Sequence, residues 1–422
     1  MQVTGPRGTN DILPGDVERW HLVEERIRSL CRIYGYHEIR TPIFEHTELF
    51  VRGIGEATDI VEKEMYTFTD KGDRSITLRP EGTAPVVRAY LEHKLYAGAN
   101  PIKLYYMGPM FRYERPQAGR YRQFSQFGVE VFGSQHPAVD AETIALPVHL
   151  YETLGIKDVR VQINTIGCPK CRPAYRKLLK DSLRDRVEKL CPSCQRRYER
   201  NPLRLLDCKE ESCRRVTTDI PTIYDSLCEE CRDHFDRLQV YLKAAGIAFE
   251  VNPRLVRGFD YYTKTVFEFS SSSLGAQDAL GGGGRYDGLV EEVGGQPTPG
   301  IGFAVGIDRI LLAMERQGVA APDQAGVEVF FASLGEAATL ATVTLLSEIR
   351  HAGIPAEMDY LGRSLRAQLK AADKSHARYA VIIGDTELAR GAAVIRTLAT
   401  GEQTEVPLGE VVPYLENFLK QS

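Results

Sequence analysis

The sequence predicts an α+β protein of more than one domain: a domain built on an antiparallel sheet, interrupted by a helical insertion and followed by a compact α/β domain. Three observations predict it. Lys103–Arg112 and Arg122–Phe132 alternate with period two and are joined by the loop Tyr113–Tyr121, the pattern of paired strands. Residues 166–250 change character, being helical in pattern, strongly basic and home to eight of the nine cysteines. Further on, Glu328–Ser333, Ala356–Tyr360, Ala380–Ile383 and Ala393–Thr397 alternate with helical stretches, as in a small α/β domain.

Composition bounds the answer. At a soft prior of roughly 150 residues per domain, 422 residues suggest two or three domains. Hydrophobic residues make up 43% and charged residues 26%, enough for full cores and against disorder. The longest apolar runs, such as Ile301–Ile307, fall far short of the roughly 20 residues a membrane span needs. Met1–Asp16 shows no secretory pattern, which predicts a cytoplasmic protein with no membrane partner and with reduced cysteines. The net charge of −4 excludes a globally basic nucleic-acid binder but not a locally basic one.

Along the chain, Asp16–Tyr34 is an amphipathic helix, with Val17, Trp20, Val23, Ile27, Leu30 and Tyr34 at three- and four-residue spacing. After the two strands come a helix at Ala138–Leu154 and a strand at Val159–Ile163. Strand-like sequence resumes at Leu255–Ser270. Gly281–Gly284 is expected to be a tight turn, and Ile301–Val305 a strand running into a helix at Gly306–Arg316. The expected domains are 1–165 with 251–321, the inserted 166–250, and 327–422, with Pro322–Gly326 as a linker.

The segment FRYERPQAGRYRQFSQFGVE, Phe111–Glu130, carries the chemistry. Arg112, Arg115, Arg120 and Arg122 are opposed by Glu114 alone, and guanidinium presents a rigid fork to phosphate oxygens. At period two, Arg122, Phe124, Gln126, Gly128, Glu130 and Phe132 share one face, while Phe127, Val129 and Val131 face a core. Such a mixed face suits a pocket floor. No Lys-Ser/Thr follows the glycines, so there is no P-loop, and no G-x-S-x-G hydrolase elbow is present.

Phe111–Gly133 resembles motif 2 of class II aminoacyl-tRNA synthetases, in the version of the histidyl-tRNA synthetases. LRPEGTAPVVRAYLEH (Leu78–His93) resembles the family's substrate-binding loop and helix. LVRGFDYYTKTVFEF (Leu255–Phe269) and ALGGGGRYDGL (Ala279–Leu289) resemble its two histidine signatures, and PGIGFAVGIDRILLAME (Pro299–Glu315) is similar to motif 3. Gly5–Asp16 also fits, and Pro42 fits the weaker motif 1, which implies a homodimer.

The resemblance implies a class II synthetase fold and a histidine–tRNA ligase. Such an enzyme joins L-histidine and ATP, with Mg2+, into histidyl-adenylate, then passes histidine to the 3' end of tRNA(His). Two anions meet in the first step, so cations must screen them. By resemblance Arg112 and Arg257 serve the α-phosphate, Arg309 the distal phosphates, and Phe124 stacks on adenine. Glu81, Gly82, Thr83 and Gln126 belong to the site of the amino acid's ammonium group. Glu130 and Tyr262 serve the imidazole nitrogens, with Tyr261 and Tyr286 as further walls. Arg115 and Gln117 face the tRNA acceptor end. A rival reading is a non-catalytic, synthetase-like regulatory subunit of ATP phosphoribosyltransferase. That paralogue typically lacks the anticodon domain and some ATP-binding arginines.

The insert has its own signals. Cys168-x2-Cys171 and Cys191-x2-Cys194, 19 residues apart, have the spacing of a structural zinc site. Cys208, Cys213, Cys228 and Cys231 form a looser second set. Which pairs combine is open, and buried thiols in a helical module are the alternative. Between Cys168 and Arg215 there are 15 Lys+Arg against 7 Asp+Glu, a local excess of +8 that suits a tRNA backbone. Arg363, Arg366, Lys370, Lys374 and Arg378, opposed by Asp373, mark a second basic face in the region that resembles an anticodon-binding domain.

Overall fold

The structure, a computed structural model, describes residues 3–55, 58, 60–275, 277–320 and 326–420. Pro322–Ala325, most of the expected linker, lie outside them. The chain forms two compact units, Met1–Pro322 and Asp323–Ser422.

Eight strands make the large sheet of the first unit: β1 (His37–Glu38), β2 (Ile102–Phe111), β3 (Gln123–Phe132), β4 (Val159–Thr165), β5 (Glu250–Val251), β6 (Thr263–Ser271), β7 (Ala279–Arg285) and β8 (Gly300–Gly306). Their order is β1-β2-β3-β8-β7-β6-β4-β5. The six long strands are antiparallel throughout, and only the short edge strands β1 and β5 pair parallel. A small antiparallel sheet is separate from it, with Ser75–Leu78 paired between Phe44–His46 and Tyr66–Thr69.

Alternation on the strands decides the two faces. Phe127, Val129 and Val131 of β3, Phe267 and Phe269 of β6, and Ile301, Phe303 and Val305 of β8 enter one core. The helices Val17–Ile33, Pro137–Thr153, Glu229–Ala244 and Ile307–Arg316 contribute to that core. On the first of them Val23, Ile27, Leu30 and Cys31 are the buried stripe, at helical spacing. The other face carries a second apolar cluster, with Leu104, Phe132 and Val266, and beside it the polar side chains of the cleft.

Two sequence expectations are corrected. Gly281–Gly284 is not a turn but the middle of β7, between β6 and β8. A Cβ on Gly283 would lie 2.0 Å from the Gly302 carbonyl oxygen, and one on Gly282 2.5 Å from that of Phe267. The glycines thus permit close approach of backbones rather than reversal of the chain. The strand expected over Leu255–Ser270 begins only at Thr263; Leu255–Tyr262 is irregular and forms the wall of a cleft. The proline, glycine and aspartate around it, Pro253, Gly258 and Asp260, disfavour a ladder there.

Residues 166–250 pack as part of the first unit. Their last helix, Glu229–Ala244, places Phe235, Leu238 and Leu242 in the core under the sheet. Asp140, fully buried, binds this helix to the strands. It accepts from Arg285 Nε (2.9 Å) and Nη2 (2.6 Å) and from Thr265 Oγ1 (2.6 Å), and pairs with His234 Nε2 at 2.8 Å. Burial favours the neutral acid, but Arg285 and His234 outweigh it and hold the Asp140 carboxyl below its ordinary value. Removing one partner from such a buried set costs about 3–5 kcal/mol.

The second unit is a five-stranded sheet ordered Ala356–Met358, Val329–Ser333, Tyr379–Ile383, Ala392–Thr397, Gln403–Pro407. The first three strands are parallel and the last two antiparallel. Gln403–Pro407 has no counterpart in the sequence reading, because its mostly polar, exposed residues show no apolar alternation.

Candidate active site

A cleft of about 1180 Å3 opens on the polar face of the large sheet. That exceeds the roughly 300–1,000 Å3 of a common small-molecule pocket and leaves room for two substrates side by side. Strand β3 supplies Phe124 and Gln126 to its lining, as the alternation predicted. One further step along the same face is Gly128, and the next is Glu130.

Glu130 lies under the floor, wholly buried. It pairs in register with Gly302 of β8, a lining residue, whose missing side chain makes the site: a Cβ there would come within 2.0 Å of Glu130 Oε2. Tyr286 Oη donates to Oε2, and Tyr106 Oη to Oε1 at 3.4 Å. The Tyr106 ring occupies space vacated by two glycines, since a Cβ on Gly82 or Gly128 would lie 2.2 or 2.3 Å from it. Desolvation raises the Glu130 carboxyl to about 8, opposed by hydrogen bonds from Tyr286 and Thr83. Tyr261, Tyr262 and Tyr286 are buried, and all three line the cleft, the first two with ring centroids 4.6 Å apart.

Glu81 and Thr83 stand at the head of the helix Thr83–Glu92 and line the same space. Glu81 accepts from the backbone N–H of Thr83 (2.6 Å) and of Ala84 (2.8 Å), which fixes the carboxyl at the helix start. Its burial still raises its proton affinity above the ordinary value. Gly82 is not among the lining residues; its part is to admit Tyr106.

The three arginines converge from three elements. Arg112 follows β2, donates to the Pro80 carbonyl at 2.8 Å, and holds its guanidinium 5.3 Å from the Phe124 ring centroid. Arg257, on the irregular wall, donates from Nη1 to Glu268 Oε2 at 2.7 Å. Arg309, in the first turn of Ile307–Arg316, is aimed by the carbonyls of Ala279, Gln277 and Gly119. All three line the cleft with Gly302 and Tyr286, which both adjoin Glu130. Among the described residues, buried Gln126 Oε1 and Arg257 Nε have no hydrogen-bond partner, an acceptor and a donor left for a ligand.

The family described as Histidyl-tRNA synthetase matches residues 8–310, and the one described as Anticodon binding domain matches residues 328–418. A Histidine--tRNA ligase of Desulforamulus reducens is 57% identical over 99% of this chain and 99% of its own length. The chain belongs to the histidyl-tRNA synthetase family. A second relative so named, from Moorella thermoacetica, is 58% identical over 98% of both chains. Among solved structures, apo histidyl-tRNA synthetase of Staphylococcus aureus superposes with a TM-score of 0.84 at 41% identity, covering 98% of this chain and 100% of that one. The large antiparallel sheet is accordingly the class II synthetase catalytic fold, followed by an anticodon-binding domain with its own sheet.

In this family member two participants escaped the sequence reading. Glu268 lines the cleft and holds Arg257. Its signal was available, since Phe267 and Phe269 face the core and leave Glu268 on the polar side. Tyr106 had a weaker signal, legible only once Gly128 is known to lie opposite it. Arg115 and Gln117 are exposed on the loop between β2 and β3, away from the floor. On the second unit Arg366, Lys370 and Lys374 are exposed along Leu365–Lys374. Arg363 and Arg378 are instead engaged by Asp359 and Glu328.

The structure groups the cysteine pairs that the sequence leaves open. Cys168 and Cys171 do not meet Cys191 and Cys194. They meet Cys228 and Cys231, while Cys191 and Cys194 meet Cys208 and Cys213. The reason is the path of the chain. The insert leaves the sheet after β4 and returns to it through the helix Glu229–Ala244, so its first and last pairs come together at the base.

None of the described helices is long and apolar enough to cross a membrane.

Proposed function

We propose that the chain activates L-histidine with ATP, giving histidyl-adenylate and pyrophosphate, and transfers the histidyl group to the 3'-terminal adenosine of tRNA(His). One observation carries the assignment of roles: three guanidinium groups share a cleft with a buried carboxyl that lies beneath a glycine floor.

In activation, an oxygen of the histidine carboxylate attacks the α-phosphorus of ATP, and pyrophosphate leaves in line. Arg112 and Arg257 face the α-phosphate and quiet the repulsion between the two anions, while Arg309 takes the distal phosphates. Glu268 fixes the Arg257 fork so that the unpartnered Nε can turn toward a phosphate oxygen. Phe124 stacks on the adenine, with Arg112 against the ring. The carboxylates Glu114 and Asp278 on the cleft wall would be the oxygen donors to hold a magnesium ion bound with ATP, which would supply charge neutralisation of the phosphates.

The histidine ammonium meets Glu81, Thr83 and the unpartnered Gln126 Oε1. Its ring reaches toward Glu130 through the Gly302 gap, with Tyr262 on the other side. A pocket whose buried polar groups need an imidazole rejects analogues without one by about 10⁴–10⁵. The exposed Arg115 and Gln117 meet the tRNA acceptor end, and the basic insert and the Arg366 face hold its backbone. The working form is a cytoplasmic homodimer, as motif 1 implies, which sedimentation would test.

The regulatory-subunit reading is less supported. It expects missing ATP-binding arginines and no anticodon domain, whereas Arg112, Arg257 and Arg309 line the cleft and residues 328–418 match that domain. Transfer of labelled histidine to tRNA(His) decides between them. The ligase charges the tRNA only with ATP present; a protein that binds histidine yet never charges tRNA overturns the assignment.

A further inference from the structure

Eight buried or half-buried thiols gather four by four in the insert. The outer cluster is Cys168, Cys171, Cys228 and Cys231; the inner one is Cys191, Cys194, Cys208 and Cys213, and within each all sulfurs lie within 4.8 Å of one another. In the outer cluster Cys168–Cys171 and Cys168–Cys228 are 3.8 Å apart and Cys171–Cys231 3.9 Å. Four sulfurs at ~2.3 Å from one tetrahedral zinc stand about 3.8 Å from each other. Cys168 thus has two equidistant sulfur neighbours, whereas a disulfide singles out one.

The backbone is shaped to the same end. Cys168 N–H donates to Cys171 Sγ at 3.2 Å, and Cys191 N–H to Cys213 Sγ at 3.1 Å, bonds that stabilise thiolate rather than thiol. Gly167 has φ +67°, and a Cβ there would lie 2.7 Å from Cys171 Sγ. Among the described residues the inner module has little other buried apolar support. Apart from its cysteines, its buried cluster holds only Leu183, Leu190 and Leu205, too few apolar side chains to hold a set of short helices.

We infer that the insert holds two structural zinc ions, one in each cluster, each bound by four thiolates. The outer ion clasps the two ends of the insert. It also braces the cleft wall, because Arg172, the residue after Cys171, donates to the Tyr262 carbonyl at 2.6 Å, and Lys264 N–H donates to the Gly167 carbonyl at 2.8 Å. The inner ion shapes the tip, where Cys208, Lys209 and Arg214 reach the rim of the cleft. Neither ion touches the reacting atoms.

Elemental analysis of the full chain, purified without chelator, tests this with no substrate present, so it stands or falls separately from the ligase assignment. The wild type should carry about two zinc per chain, and Cys194→Ser and Cys228→Ser about one each. Cobalt exchanged for zinc should show the visible bands of tetrahedral thiolate coordination in the wild type, at roughly half intensity in each variant. Less than about 0.2 zinc per chain in the wild type, or iron in its place, overturns the inference. So does loss of both ions from each single variant, which would mean one shared centre.

Discussion

The cleft floor and the cysteine module both hold polar groups in fixed positions, by opposite means. On the floor, strands in register do the positioning: Glu130 faces Gly302, Gly282 faces Glu268, and Tyr106 faces Gly128. Backbone pairing fixes which side chains meet, and glycine supplies the space. In the insert, short helices leave and rejoin the sheet, and cysteines 60 residues apart meet at 3.8 Å. There, the path of the chain decides the pairing. A linear motif is therefore a map of the site on a sheet, and only a parts inventory in a looped module.

The largest effect is expected at the phosphate end of the cleft. Arg257→Ala should lower the rate of histidine-dependent ATP–pyrophosphate exchange by about 10²–10³-fold, the cost of losing one preorganised donor to developing charge. Near-normal exchange would remove Arg257 from the reaction. Next comes the floor itself. Gly283→Ala should destabilise the protein by about 3 kcal/mol or more in thermal melts, since its Cβ would lie 2.0 Å from the Gly302 oxygen. A change under about 0.5 kcal/mol would restore the turn that the sequence suggested.

A smaller effect concerns Glu130. Its carboxyl is raised to about 8 by burial, against 4.5 in an unfolded chain. Between those values the folded protein keeps a proton that the unfolded chain has released. That stabilisation is complete below the unfolded value and is lost as pH rises through about 8. Glu130→Gln lacks this dependence, so its Tm relative to wild type should climb by several degrees from pH 6 to pH 9. A difference flat with pH would mean a carboxylate already ionised and satisfied. Smallest is the second unit. Arg366→Ala should weaken tRNA binding a few-fold and reduce its salt slope by about one, leaving pyrophosphate exchange untouched. An unchanged slope would take that helix off the RNA.

Much of the catalytic unit was legible because its chemistry rides on strands. Period two put Phe124, Gln126 and Glu130 on one face and Phe127, Val129 and Val131 on the other, and the structure keeps that division. What escaped was long-range. Gly281–Gly284 looks like a turn locally, and only its neighbours β6 and β8 make it a strand. Glu268 and Tyr106 gain meaning from what stands across the sheet. The Asp140–Arg285–His234 set joins residues up to 145 apart in sequence, which no local pattern announces.

The central claim is that one cleft joins imidazole recognition over Glu130 to phosphate chemistry under three arginines. Amino-acid-dependent ATP–pyrophosphate exchange, run with each of the twenty amino acids in turn, tests both halves at once. The account predicts exchange with histidine alone. Exchange with none of them, or equally well with phenylalanine or glutamine, would contradict it.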